Sequence, residues 1–285
     1  MRSMLVEENC LYIVATPIGN LADLSPRASQ VLQDVAIVAA ENTQHSRKLL
    51  QYINSSAQLT SLHDHNEREK AGSLLAKIQQ GNTMALISDA GTPLINDPGY
   101  IIVQLAHSMG IKVVPIPGAC AAIAALSSSG ITSHNFKFMG FLPAKTVARL
   151  KVLHALQNET STLIFYETPH RIIAALEDLL AAFGPNRKIC MAREITKLFE
   201  TIRTDTIANL LTWIQANPEQ QQGEFVLVVS GCIIDKNLST IDSTAKKIIT
   251  ALQEEGLSSK QISNITAKIT AINKKILYNY IIRKI

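Results

Sequence analysis

LYIVATPIGNLADLSPRASQVLQD, residues 11–34, carries the strand, loop and helix from which the fold is read. Leu11 to Ala15 is a continuous apolar run, which suits a strand covered on both faces rather than one alternating between core and water. Thr16 to Leu24 contains Pro17, Gly19 and Asn20, residue types that favour turns. Ser25 then Pro26 marks a helix start, because a seryl oxygen can accept a free amide and proline lacks the N–H that the first turn cannot pair. The helix is predicted over Pro26 to Asp34. VAIVAA, MALIS and KVVPI are further buried-strand candidates, separated by helical patterns such as Glu67 to Gln80, so this part of the chain reads as α/β.

A second series follows the element PIPGA at 115–119. It has a predicted helix over Cys120 to Ser128 and strand candidates KFMGF, TLIFYE, KICMARE and GEFVLVVSG, with loops at 130–135 and 217–223. From Thr240 the pattern is helical, with Gly256 as a stop and Ser258 or Ser259 as the next cap. The expected organisation is an α/β domain over 1–118, a second α/β domain over 119–235 and a basic helical tail over 236–285.

The chain has 285 residues, 47% hydrophobic and 18% charged, a composition that supports a large buried core and argues against long disorder. Cys10, Cys120, Cys190 and Cys232 lie far apart and match no zinc or redox spacing, so reduced thiols are expected. The first ten residues lack the apolar segment of a secretory leader, and runs such as Phe225 to Val229 are far shorter than a bilayer span. A cytoplasmic protein with no membrane association is expected. Residues 236–285 hold nine Lys or Arg against three Asp or Glu, whereas the rest of the chain is slightly acidic. A basic tail of that kind points to an anionic partner such as RNA phosphate, or to no more than a solvated helical face.

Several loops are placed to carry chemistry, because ligands of open α/β sheets collect beyond the carboxyl ends of the strands. The turn at 16–21 is one, although neither the dinucleotide fingerprint nor the phosphate-loop motif occurs in the chain. Ser88 to Tyr100 holds two glycines and two prolines between a buried strand and a helix expected near Asp97, with Asp97 as the predicted N-cap and Asp89 either facing a ligand or fixing the turn. Pro115 to Ala122 opens a helix of small residues that either admits a ligand or allows close packing. FYETPHR at 165–171 gathers Glu167, His170 and Arg171 at a strand end, and REITK at 193–197 adds a second charged cluster, each a site candidate or an ordinary surface loop. HDHNE at 63–67 reads as a capped helix start, with Asn66 as cap, in preference to a metal site.

TPIGNLADLSPRA, ENTQHSRKLL, HDHNE, SDAGTPLINDPGY, PIPGACAAIAAL, FYETPHRI and AREITKLFE, in this order, resemble the tetrapyrrole methylase superfamily, in the branch that methylates a cytidine ribose 2′-hydroxyl of small-subunit ribosomal RNA. The resemblance covers nearly the whole chain. It implies two α/β domains with S-adenosyl-L-methionine in the cleft between them, a homodimer, no metal, and small-subunit ribosomal RNA or the 30S subunit as substrate. Residue by residue it places Pro17 in the first substrate-facing loop. Ser88, Asp89, Ala90, Gly91, Thr92 and Ile95 would line the cofactor, together with Pro117, Gly118, Ala119, Cys120 and Ala121. Tyr166, Ile195 and Val226 would be the contacts from the second domain. The stretch from Ala267 through Tyr278 resembles the C-terminal helical region of that branch.

A ribose hydroxyl attacks poorly until its proton leaves, so a base is expected, with Glu41, Asp89, Glu167 and His170 as candidates. Arg27, Arg47, Arg171, Arg193 and Lys197, with Lys274 and Lys275 of the tail, are the candidates for holding RNA. Two rival readings remain: an enzyme acting on a tetrapyrrole or a modified protein residue, and a non-catalytic ribosome-assembly factor.

Overall fold

The first strand predicted above, β1 (Cys10–Val14), is followed by α1 (Pro26–Asp34), and the Ser25 hydroxyl accepts the Ala28 amide as the cap. Then come β2 (Ile37–Ala40), α2 (Thr43–Tyr52), β3 (Gln58–Ser61), α3 (Glu67–Gln79), β4 (Met84–Ile87), α4 (Tyr100–Ser108) and β5 (Lys112–Ile116). The structure, a computed structural model, describes residues 6–233, 241, 243–270 and 272–283. These first strands form one parallel sheet in the order β3-β2-β4-β1-β5. Helices α1 and α2 bury Val31, Leu32 and Leu50 on one face, and α3 and α4 bury Leu75, Ile78 and Ile102 on the other. Because β1 leads leftward to β2 while its neighbour β4 leads rightward to β5, the loops after β1 and β4 diverge at a topological switch point.

The second series begins with α5 (Ala121–Ser128). It continues through β6 (Phe136–Phe141), α6 (Thr146–Ala155), β7 (Thr162–Glu167), α7 (Ile172–Phe183), β8 (Lys188–Arg193), β9 (Thr201–Thr206), α8 (Ile207–Ala216) and β10 (Phe225–Val229). Its sheet has the order β6-β7-β10-β8-β9, and only the β6–β7 pair is parallel. The continuous apolar runs of the first series form a parallel sheet, whereas the equally apolar runs of the second series are mostly antiparallel. Such runs report burial on two faces, which β10 has at the centre of the sheet, and carry no information about direction. Strand β9, TIRTDT, escaped prediction because an edge strand with polar alternation lacks that signal. Between α6 and α7 the Arg149 guanidinium is buried, donating to Asp178 Oδ2 at 2.7 Å and to the carbonyls of Pro143, Ala144 and Ala174. An enclosed charge is tolerable only with partners of this kind.

Two predicted caps are corrected. Asn66 precedes α3 but its Oδ1 accepts the His63 amide instead of a helix amide, since the turn before the helix claims it first. Asp97 does not cap α4, because Gly99, at φ +128°, reverses the chain and the helix starts only at Tyr100.

The chain divides between Gly231 and Cys232 into two compact units, the first containing both sheets. The second holds α9 (Ser243–Glu254), α10 (Ser259–Thr270) and α11 (Lys274–Arg283), around a core that includes Ala245, Ile249, Ile262, Leu277 and Ile281. Gly256 lies in the first turn and the Ser258 hydroxyl accepts the Gln261 amide ahead of α10. The boundary expected at 235 and the helical start at Thr240 fall outside the described residues. Among the described residues no helix is long and apolar enough to cross a membrane.

Candidate active site

The loops after β1 and β4 are tied together at the carboxyl edge of the parallel sheet. Thr16 and Gly91 exchange both backbone hydrogen bonds, at 2.8 and 3.0 Å, as an isolated antiparallel bridge. Gly91 has φ +83°, and a side chain there would meet Ile18 Cγ2 at 3.3 Å and Ala119 O at 3.6 Å. Glycine therefore permits both the turn and the close approach. The Thr92 hydroxyl donates to Ala119 O at 2.9 Å, which holds this loop against the start of the second lobe.

On one side of the bridge lies an open cleft of about 270 Å³ between the two sheets. Its first-lobe wall includes Ile18, Ala90, Gly91, Thr92, Ile95, Asn96 and Asp97, and its second-lobe wall includes Cys120, Ala121, Phe141, Tyr166, Ile195 and Val226. Each lobe presents one isoleucine in the same way. Ile95 sits between Leu94 and Asn96 at φ +71° and +69°, and Ile195 between Glu194 and Thr196 at φ +49° and +67°. Leucine and the β-branched threonine rarely adopt that conformation, and residues held in it cluster at ligand sites. Both isoleucines thus face the cleft on strained backbone.

Burial pushes the Tyr166 hydroxyl up to about 12, so it stays protonated, and Phe138 and Phe141 pack edge-on against its ring. The Asp97 carboxyl is raised by burial and by the Asp89 and Asp64 carboxylates, against a lowering contact with Ser88. Glu41, at the end of β2, is raised by burial and then by Asp89, Asp97 and Asp64. The edge of the parallel sheet therefore concentrates negative charge. A carboxyl raised on folding binds its proton more tightly in the native state, so its charge weakens the fold once pH passes the ordinary carboxylate value. Glu41→Gln is expected to raise the melting temperature near neutral pH, with the gain vanishing below about pH 4, as thermal melts across pH will read out.

A family profile described as Tetrapyrrole (Corrin/Porphyrin) Methylases matches residues 10–211, a span that contains both sheets except β10 and both isoleucine-bearing loops. The chain belongs to the tetrapyrrole methylase family. Within that family it is similar to proteins named ribosomal RNA small subunit methyltransferase I. The Pseudomonas aeruginosa protein is 46% identical over 274 residues, covering 96% of this chain and 97% of that one. The Haemophilus influenzae protein is 48% identical over 270 residues, covering 95% of each. Solved tetrapyrrole methylase-fold structures share the fold at low identity. The uroporphyrin-III-C-methyltransferase of Thermus thermophilus aligns at TM-score 0.55 and 20% identity, over 78% of this chain and 94% of its own. A diphthine synthase aligns at TM-score 0.59 and 15% identity, over 78% and 90%.

Against this tetrapyrrole methylase cleft, the residues expected from sequence divide into three groups. Ala90, Gly91, Thr92, Ile95, Cys120, Ala121, Tyr166, Ile195 and Val226 line it. Pro17, Ser88 and Asp89 line a separate crevice on the other side of the Thr16–Gly91 bridge. Pro117, Gly118 and Ala119 line neither, although the Ala119 carbonyl holds Thr92 and a side chain on Gly118 would come within 2.9 Å of Ala15 Cβ.

The base candidates also separate. Glu167 is 2% exposed and bound to the Thr168 amide and the Arg171 guanidinium, and burial raises its carboxyl in spite of both. His170 is exposed and lines neither cavity. Asp89 keeps its carboxylate at a cavity wall while accepting the Asn42 amide at 3.1 Å.

Among the basic candidates, Arg193 is 6% exposed and gives its guanidinium to the carbonyls of Gln222, Phe199 and Glu219, which makes it an internal strut out of reach of a phosphate in solvent. Arg171 is also spent inward, on Glu167 and the Leu142 carbonyl. Lys197 bridges Glu194 and Glu224, and its stem packs on Gly19. Arg27 and Arg47 are exposed on α1 and α2, and Lys274 and Lys275 are exposed at the start of α11. Sequence reading missed Asn96, Phe141, Thr168 and Glu224 as cleft residues, and took Asp97 for a cap. No local pattern marks them, since only the folding of two lobes brings them together.

Proposed function

We propose that the protein transfers a methyl group from S-adenosyl-L-methionine to the 2′-hydroxyl of a cytidine in small-subunit ribosomal RNA, as a cytoplasmic homodimer acting on the 30S subunit. That it is a methyltransferase follows from its family and from relatives named for that reaction. The observation that carries the cofactor assignment is the cleft with its two isoleucines, each flanked on both sides by residues on left-handed backbone. The residues present fit such a cofactor: Ile95, Ile195 and Val226 offer apolar surface to a purine, and Thr92, Asn96 and Asp97 offer hydrogen-bond partners and one carboxylate to a cation. The absence of a side chain at Gly91 keeps the loop close enough to serve as a cradle.

When bound, S-adenosyl-L-methionine supplies an activated methyl group on a sulfonium. The chain's own tasks are to hold the acceptor in line and keep water away, which positioning on rigid strand ends achieves. Asp89 takes the hydroxyl proton on its carboxylate, as its place on a cavity wall supports. Exposed Arg27, Arg47, Lys274 and Lys275 hold RNA phosphates in this reading. Purified protein incubated with methyl-labelled cofactor and isolated small subunits lacking the modification is expected to label the RNA. Label appearing only on an added tetrapyrrole would overturn the RNA assignment, and cofactor binding without any transfer would leave an assembly factor.

A further inference from the structure

The crevice behind the Thr16–Gly91 bridge has about the same volume as the cleft, near 270 Å³, and no part of the reaction above except the proton acceptor uses it. It is framed by the loop after β1, by the Ser88–Asp89 turn and by one face of α2. Three of its lining residues bear hydroxyls, Thr16, Ser46 and Ser88. Thr16 Oγ1 is bonded to the carbonyls of Ser88 and Gly91, and Ser88 Oγ to those of Ala90 and Gly91. Ser46 Oγ has no partner, although Ser46 is only 2% exposed. Burying a hydroxyl without a partner weakens a fold, so a ligand group in the crevice is the natural recipient.

Of the remaining lining, the Asp89 carboxylate suits a ribose hydroxyl and the Lys48 ammonium suits a phosphate. Lys48 lines the crevice, is exposed, and forms no ion pair among the described residues. Leu21, 44% exposed, and Leu49 give an apolar surface on which a sugar or base face can rest. The amino end of α2 is not the anion site, because Asn42 Oδ1 already accepts the amides of Gln44 and His45. The crevice and the cleft are separated only by the bridge, with Ile18 facing the cleft and Pro17 and Gly19 facing the crevice.

We propose that this crevice is a second RNA subsite, seating the nucleotide that adjoins the methylated one, with the Ser46 hydroxyl bonding its sugar-phosphate oxygens and the Lys48 ammonium neutralising its phosphate. The inference rests on the RNA-methyltransferase reading and deepens it. The two residues position substrate and take no part in bond making.

The test is steady-state methylation of isolated, unmodified small subunits by Ser46→Ala, Lys48→Gln and Lys48→Arg, with salt varied. Ser46→Ala and Lys48→Gln are expected to raise KM for the subunits about three- to tenfold, at unchanged kcat and unchanged cofactor affinity. Lys48→Gln is also expected to lower the slope of log affinity against log salt by about 1, and Lys48→Arg to restore it. Ser46→Ala removes an unpaired buried hydroxyl, so its melting temperature is expected to stay or rise, which separates lost recognition from lost folding. Unchanged KM and salt slope in both variants, with an active parent protein, would overturn the subsite alone. A parent protein that labels no RNA would overturn the reading beneath it, and the subsite with it.

Discussion

Asp89→Asn is expected to bind S-adenosyl-L-methionine as tightly as the parent protein and to lose about 10²- to 10⁴-fold in kcat, the range for removing a positioned general base. Asparagine retains an Oδ1 that can accept the Asn42 amide, now at 3.1 Å from Asp89, so the turn need not move. What disappears is the basic oxygen at the cavity wall. The other carboxylates are poorer alternatives: Glu167 lines the cleft but is enclosed and paired with Arg171, and Glu41 lines neither cavity. His170→Ala is accordingly expected to keep nearly full activity. Single-turnover methylation with saturating cofactor distinguishes these outcomes, and an Asp89→Asn enzyme of parental rate would transfer the role elsewhere.

Gly91→Val is expected to weaken cofactor binding by about ten- to a hundredfold, a cost in keeping with holding a non-glycine residue at unfavourable backbone angles. Valine strongly resists φ +83°, and its Cβ would press on Ile18 Cγ2 at 3.3 Å. Relief requires the Thr16–Gly91 bridge to open, and that bridge is the wall shared by cleft and crevice. RNA affinity should therefore fall together with cofactor affinity, while the far-ultraviolet circular dichroism stays parental because the cores lie away from the loop. Calorimetric titration of cofactor and filter binding of RNA measure the two losses. A variant with parental affinity for both would show that the bridge does not shape either cavity.

The sequence disclosed what depends on neighbours along the chain. Ser25 and Pro26 announced α1 to the residue, and the apolar runs located eight of the ten strands, because two-sided burial and capping are local signals, while the polar edge strands β3 (QLTS) and β9 (TIRTDT) carry neither. Strand direction in the second sheet was not legible, since β10 is as apolar between antiparallel neighbours as β1 is between parallel ones. At the site, glycine- and proline-rich loops marked the wall that includes Gly91, whereas Asn96, Phe141 and Glu224 gave no sign. Their role depends on which loops of the two lobes meet. Arg193 misled for the opposite reason: a charged residue at a strand end looks available, and only the carbonyls of Gln222, Phe199 and Glu219 show it to be consumed.

The left-handed residues flanking Ile95 and Ile195 are set by the fold, because neither Leu94 nor Thr196 would be chosen for such backbone by local preference. Strain placed on both walls of one cleft is what a binding site held open by the surrounding fold should show.

Transfer to a sugar oxygen of RNA is read out by alkaline hydrolysis of the labelled product. A 2′-O-methyl group removes the hydroxyl that alkali uses to cleave the adjoining phosphodiester, so label is expected in an alkali-resistant dinucleotide. Label released wholly in mononucleotides would place the methyl on a base and contradict ribose methylation.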